Sequence, residues 1–260
     1  MVTIKQSEAH FSTKLTSSVP TLLAEDVSIR YGENIALRDV NFMIWPAERV
    51  AVIGPNGAGK STLFKGIVGI LPLYTGRILL EGRNQRRHSY ISYVPQHEMV
   101  DWRFPVNVWD VVMMGRSRHI GYMLPARRRD KDIVTDALHK VGMWELRHRQ
   151  IGQLSGGQRR RVFIARALAQ EARLLLMDEP FAGVDASTES EIFEVLEALR
   201  EHQVTVVIAT HDLDQAATRY DKVLMLNKRQ IAFGAPKEVY TVSNMQQTFG
   251  GYRHVFNFTG

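Results

Sequence analysis

The chain contains no cysteine, which excludes disulfides and thiolate metal sites. Its nine histidines are scattered, and none falls in the H-E-x-x-H spacing that places two ligands on one helix face. A transported or regulatory metal is therefore not expected to be held by this chain. No apolar run approaches the roughly 18 residues that span a bilayer, and the first residues lack the apolar stretch of a secretory leader. A soluble, cytoplasmic protein is expected. There is no internal repeat or low-complexity block.

What is present is the makeup of a globular protein: 260 residues, 45% hydrophobic and 23% charged. That is enough to bury a full core in one domain with an inserted subdomain. The formal charge of +6 suits nucleic acid, an anionic membrane surface, or the phosphate-facing and surface cations of a nucleotide enzyme. No RNA- or DNA-binding motif accompanies the charge, so nucleic acid is not an expected partner. Arg127-Arg128-Arg129 and the set Arg83, Arg86, Arg87 read as solvated loop or helix faces.

The most informative string is Gly54-Pro55-Asn56-Gly57-Ala58-Gly59-Lys60-Ser61-Thr62, a G-x-x-x-x-G-K-[ST] phosphate-binding loop. Its glycines let backbone N–H groups turn inward around phosphate oxygens, and the following helix start adds partial positive charge. Lys60 should reach the β- and γ-phosphates, Ser61 should place its hydroxyl on Mg²⁺, and Thr62 should contact the α-phosphate region. ATP and Mg²⁺ are the ligands implied.

Local patterning places this loop. Residues 1–20 are polar without sustained periodicity and read as a tail, as do residues 241–260. Val27, Ile29 and Tyr31, then Val40, Phe42 and Ile44, alternate with polar partners, which predicts antiparallel strands joined at Gly32-Glu33-Asn34. Val50 to Ile53 is a continuous apolar run, the signature of a strand buried on both faces, and it leads straight into the glycine loop and a helix. Leu174 to Met177 and Val204 to Ala209 predict two more buried strands around a helix whose capping box begins at Thr188 with Glu191, and whose apolar face is Ile192, Val195, Leu196 and Leu199. Strand, helix, strand implies parallel pairing. Val223 to Leu226 and Gln230 to Phe233 predict a hairpin, and Pro236 a short helix start. Between Gln96 and Gly156 the periodicity is helical, on Val108, Val111, Val112 and Gly115 and again on Ile133, Ala137, Leu138 and Val141. This gives an α/β core at 21–95 and 171–240 with a helical insertion at 96–170.

Two further sites carry chemistry. Asp178 and Glu179 end an apolar strand, and Pro180 stops the ladder. One carboxylate can hold the Mg²⁺ shell while its neighbour, released from the pleat, orients and deprotonates the attacking water. Leu154-Ser155-Gly156-Gly157-Gln158 precedes a helix-forming segment with Val162, Ala165, Leu168 and Ala169 on one side, a second anion-binding helix start. Either the chain binds two ligands, or each nucleotide is shared between two chains.

These motifs resemble those of ATP-binding cassette proteins over residues 21 to 240, most of the chain. The resemblance implies a P-loop NTPase (RecA-like) core with an antiparallel β subdomain and an inserted α-helical subdomain, acting as an ATPase. It implies a head-to-tail homodimer in which Ser155, Gly156, Gly157 and Gln158 of one subunit close on the P-loop of the other, with Ser155 and Gly157 at the γ-phosphate. It gives Tyr31 the role of stacking on adenine, Gln96 that of sensing Mg²⁺ and the attacking water, and His211 that of contacting the γ-phosphate. Asp178 falls to Mg²⁺, Glu179 to the catalytic base, and Asp185 to communication across the dimer. Val100-Asp101-Trp102-Arg103-Phe104-Pro105, Val111 to Arg116, Arg149 to Gly152 and Phe181 to Asp185 look like the branch serving manganese, zinc or chelated-iron importers. Ala47 and Arg159-Arg160 depart from that pattern without touching an expected catalytic group. The branch implies an integral membrane permease as partner, an extracytoplasmic solute-binding protein beyond it, and a peripheral place on the cytoplasmic face of the membrane. Trp102, Phe104 and Trp109 are candidate docking aromatics, with core packing as the other reading.

Overall fold

The computed structural model describes residues 19–84, 90–96, 104–121 and 124–250. Most of the expected N-terminal tail, Arg86, Arg87, Trp102 and residues 251–260 lie outside them. The chain builds two sheets. One is antiparallel, in the order β2(Asn34–Ile44), β1(Leu22–Tyr31), β4(Thr75–Leu80), β5(Arg83–Asn84). The other runs β10(Gln230–Gly234), β9(Lys222–Leu226), β3(Arg49–Ile53), β8(Thr205–Thr210), β7(Leu174–Asp178), β6(Ile91–Val94). Its pairings are parallel except for the β9–β10 hairpin.

The apolar run of β3 is explained by what lies on each side of it. Val50 and Val52 point into one core, shared with β1, β2, β4 and helix α1(Lys60–Ile67), whose Leu63, Phe64 and Ile67 are fully buried there. Ala51 and Ile53 point into the other. Period two on a strand with no polar face means two cores rather than one. At roughly 1.5–3 kcal/mol for each large apolar side chain buried, Leu63, Phe64 and Ile67 are enough to fix α1 between the sheets. The second core gathers α5(Gly156–Ala169), α6(Ala186–Glu201), α7(Leu213–Thr218), α8(Pro236–Val239) and α9(Val242–Phe249), together with α2(Val108–Met113) and α4(Arg128–Lys140) of the helical region. A short α3(Ser117–Ile120) lies between the last two.

Val27 and Ile29 are buried on β1 and pair with β2 across a turn at residues 32 and 33, as the alternation predicts. Pro236 stands in the first turn of α8. Two details differ. The cap of α6 is Asp185, whose side chain accepts from the Thr188 backbone N–H, whereas the sequence suggests Thr188. An aspartate whose backbone is still extended reaches the free N–H groups better than a threonine already inside the helix. The stretch 241–260 is also not all tail, because α9 seats Met245 and Thr248 against the body.

Candidate functional site

The loop after β3, the end of β7 and the segments after β6 and β8 all emerge at the carboxyl edge of the parallel strands, where open α/β sheets bind ligands. A cleft of about 750 Å³ opens there, lined by Asn56 to Thr62, Gln96 and Glu179. Asn34, Ile35, Ala36 and Lys228 complete its wall. Sequence reasoning did not find these four, since only the sheet topology brings them to the P-loop.

Lys60 is buried, and its ammonium donates to the carbonyl oxygens of Gly54 at 2.7 Å and Pro55 at 3.3 Å. Burial lowers its pKa, with Glu179 and Asp178 opposing the shift. It is thus a desolvated cation held by neutral carbonyls, a contact that phosphate oxygens can replace with a stronger, charge-assisted one.

Asp178, 4% exposed, lies beside the hydroxyls of Ser61 and Tyr93. Burial raises its pKa, and the neighbouring Glu179 adds to the rise against Ser61 and Lys60. Glu179 leaves the pleat: its φ is +46° and its N–H donates to the Ala209 carbonyl at 3.0 Å. Consecutive residues of one strand would point to opposite faces; this left-handed step turns Glu179 into the cleft instead. There its carboxylate accepts from Gln96 Nε2 at 2.9 Å.

The donor set fits Mg²⁺. Ser61 and Asp178 offer hard oxygens side by side, and among the described residues no group of three or more His, Asp or Glu could hold a metal alone. Magnesium is commonly bound by one or two carboxylates plus substrate phosphates.

Tyr31 is 46% exposed, and its hydroxyl lies 3.5 Å from that of Thr62, so a free aromatic face stands beside the P-loop helix. His211 is exposed just after β8. Ser155, Gly156, Gly157, Gln158 and Asp185 stand apart from the cleft lining, at the starts of α5 and α6. Ser155 and Gln158 form a reciprocal capping box, at 3.2 and 3.0 Å. Asp185 holds Ser187 and Thr188, and a Cβ on Gly157 would come within 2.0 Å of the Thr188 methyl. Arg160, buried, donates to the Ala182 carbonyl at 2.7 Å, its pKa lowered by burial to about 10. The two helix starts are therefore locked to each other. Of the candidate docking aromatics, Phe104 is 62% exposed, while Trp109 packs edge-on to Trp144 in the core.

Comparison with known proteins agrees with this geometry. The family model described as ABC transporter matches residues 37–182. The manganese transport system ATP-binding protein MntB of Halalkalibacterium halodurans is 45% identical, over 92% of this chain and 95% of that protein. The zinc transport system ATP-binding protein TroB of Treponema pallidum is 43% identical, over 92% and 90%. Among solved structures, the ADP conformation of MJ1267, an ATP-binding cassette of an ABC transporter, superposes with a TM-score of 0.78 at 26% identity, covering 90% of this chain and all of that one.

Proposed function

Because the chain belongs to the ABC transporter family and is an ATPase of it, we propose that it is the ATP-hydrolysing subunit of an importer that moves a divalent metal through a separate membrane permease. The Gln96–Glu179 contact, in the same cleft as Lys60, carries the hydrolytic part of this reading. Manganese is the favoured cargo: the manganese-system relatives reach 45% identity, beside 43% for the zinc and 42% for the chelated-iron relative.

In this reading Lys60 leaves the Gly54 and Pro55 carbonyls for the β- and γ-phosphates, and Tyr31 offers its exposed ring to adenine. Ser61 and Asp178, with Gln96 nearby, would hold Mg²⁺, which when bound would supply charge neutralisation at the phosphoryl oxygens. Glu179 accepts the proton of the attacking water, held in place by the Gln96 amide, and His211 contacts the γ-phosphate from the end of β8. Ser155 to Gln158 act on the nucleotide of a second copy, with Asp185 signalling between the two sites. ATP then favours the closed dimer because both half-sites touch its γ-phosphate. Exposed Phe104, at the head of the helical region, is a docking point for the permease on the cytoplasmic face.

Glu179→Gln tests the chemistry: hydrolysis should fall by at least about 100-fold while ATP binding persists. Undiminished turnover would place the base elsewhere. Uptake of radiolabelled manganese, zinc and iron in a deletion strain tests the cargo, and uptake of all three unaffected by the deletion would remove the metal reading.

A further inference from the structure

Lys228 stands in the turn of the β9–β10 hairpin, far in sequence from every motif of the site, yet it lines the nucleotide cleft. Its backbone is clamped on both sides. The Lys228 N–H donates to the Ala58 carbonyl of the P-loop at 2.9 Å, and its own carbonyl accepts from the Arg38 N–H on β2 at 2.9 Å. The hairpin also presses close to the loop, where a Cβ on Gly54 would sit 2.1 Å from the Leu226 carbonyl oxygen.

These contacts hold Lys228 at φ +59°, a conformation that glycine adopts freely and asparagine more readily than lysine. The backbone bonds account for the conformation but do not require a lysine side chain. Among the described residues, two non-glycine residues with left-handed backbones line this cleft, Glu179 and Lys228. The first is the proposed base, and strain of this kind concentrates where a side chain must be aimed. Lys60 and Lys228 are the two cations of the lining. Lys60 is buried and already donates to carbonyls, whereas Lys228 is exposed, and no described residue forms an ion pair with it. Asn34, Ile35 and Ala36 bring neutral groups to the same wall, so Glu179 is the one carboxylate of the lining.

We infer that Lys228 is a second nucleotide-binding cation, its ammonium pairing with the polyphosphate that the P-loop holds. This rests on the cleft being the ATP site. A mobile ammonium on a rigid backbone suits a ligand that enters and leaves each cycle, because it adds charge attraction without closing the entrance.

The test measures ATP affinity of the full chain for wild type, Lys228→Gln, Lys228→Gly and Lys228→Arg, at about 50 and about 500 mM salt. The Gln and Gly variants should each bind ATP roughly three- to tenfold more weakly at low salt, the Arg variant should match wild type, and the gap should narrow at high salt. The Gly variant relieves the backbone conformation, so its loss cannot come from misfolding of the turn. Unchanged affinity in the Gln and Gly variants would overturn the inference, as would an Arg variant as weak as Gln, or a deficit independent of salt. Wild-type protein that bound no ATP, with Lys60→Ala indistinguishable from it, would overturn the ATP-site reading beneath it as well.

Discussion

Asp178 carries a cost in the nucleotide-free protein. It is buried beside Glu179, and burial first, then that neighbour, raises its pKa above the ordinary aspartate value. The folded chain therefore holds the proton more tightly than the unfolded one. The stability Asp178 supports is full below the ordinary pKa of about 3.9 and is lost as pH rises through that value to the raised one. Asp178→Asn removes the buried charge while keeping a polar group of the same shape beside Ser61 and Tyr93. It should raise the melting temperature of the free protein at neutral pH by about 2–4 °C for a gain near 1 kcal/mol, and the gain should shrink on acidification. Thermal melts from pH 4 to 8 check this, and a gain that grew toward acid would contradict it. The residues of this site were legible in sequence where chemistry is written contiguously, as in the P-loop string. Tyr93, whose hydroxyl lies beside Asp178, carried no such signal, because a tyrosine on an alternating strand is indistinguishable from a core residue.

Elements with one strong period were equally legible: β3, β7 and β8 because both their faces are buried, and α6 because its stripe is continuous. Phe193 widens that stripe, stacking on Phe181 at 4.5 Å. The helix α9 escaped notice since it carries few apolar residues, Val242 among them exposed and Met245 buried. Polar ties between elements were the least readable. Arg116, 3% exposed after α2, donates to Asp130 in α4 at 3.1 Å, to the Ala169 carbonyl at the end of α5 at 2.8 Å and to Glu171 at 2.7 Å. One guanidinium thus joins three pieces of the helical region. Arg116→Met leaves Asp130 buried without its charge partner and should destabilise the protein by about 3–5 kcal/mol, with Arg116→Met/Asp130→Leu recovering much of the loss. Urea unfolding reads both, and a loss under about 1 kcal/mol for the single variant would mean the network is dispensable.

At the scale of the whole molecule, the adjacent glycines 156 and 157 have different reasons to be glycine. Gly157 must be small because Thr188 of its own chain lies against it. A Cβ on Gly156 would meet no described residue within 4 Å, so its neighbours do not demand a glycine there, which suits the proposed half-site offered to a second copy. Gly156→Arg should therefore fold and bind ATP like wild type while ATP hydrolysis falls by at least about tenfold, close to 1.4 kcal/mol of transition-state stabilisation. Steady-state hydrolysis alongside nucleotide affinity checks this, and full activity would remove the shared-site reading. The turn between β9 and β10 has a wider reach than its length suggests. Its residues are bonded at once to the phosphate loop, through Ala58, and to the antiparallel sheet, through Arg38, which also bridges Arg229. Most hairpin tips are free to grow, but this one is a seam without slack, and an added residue would pull on the floor of the nucleotide cleft and on both sheets together.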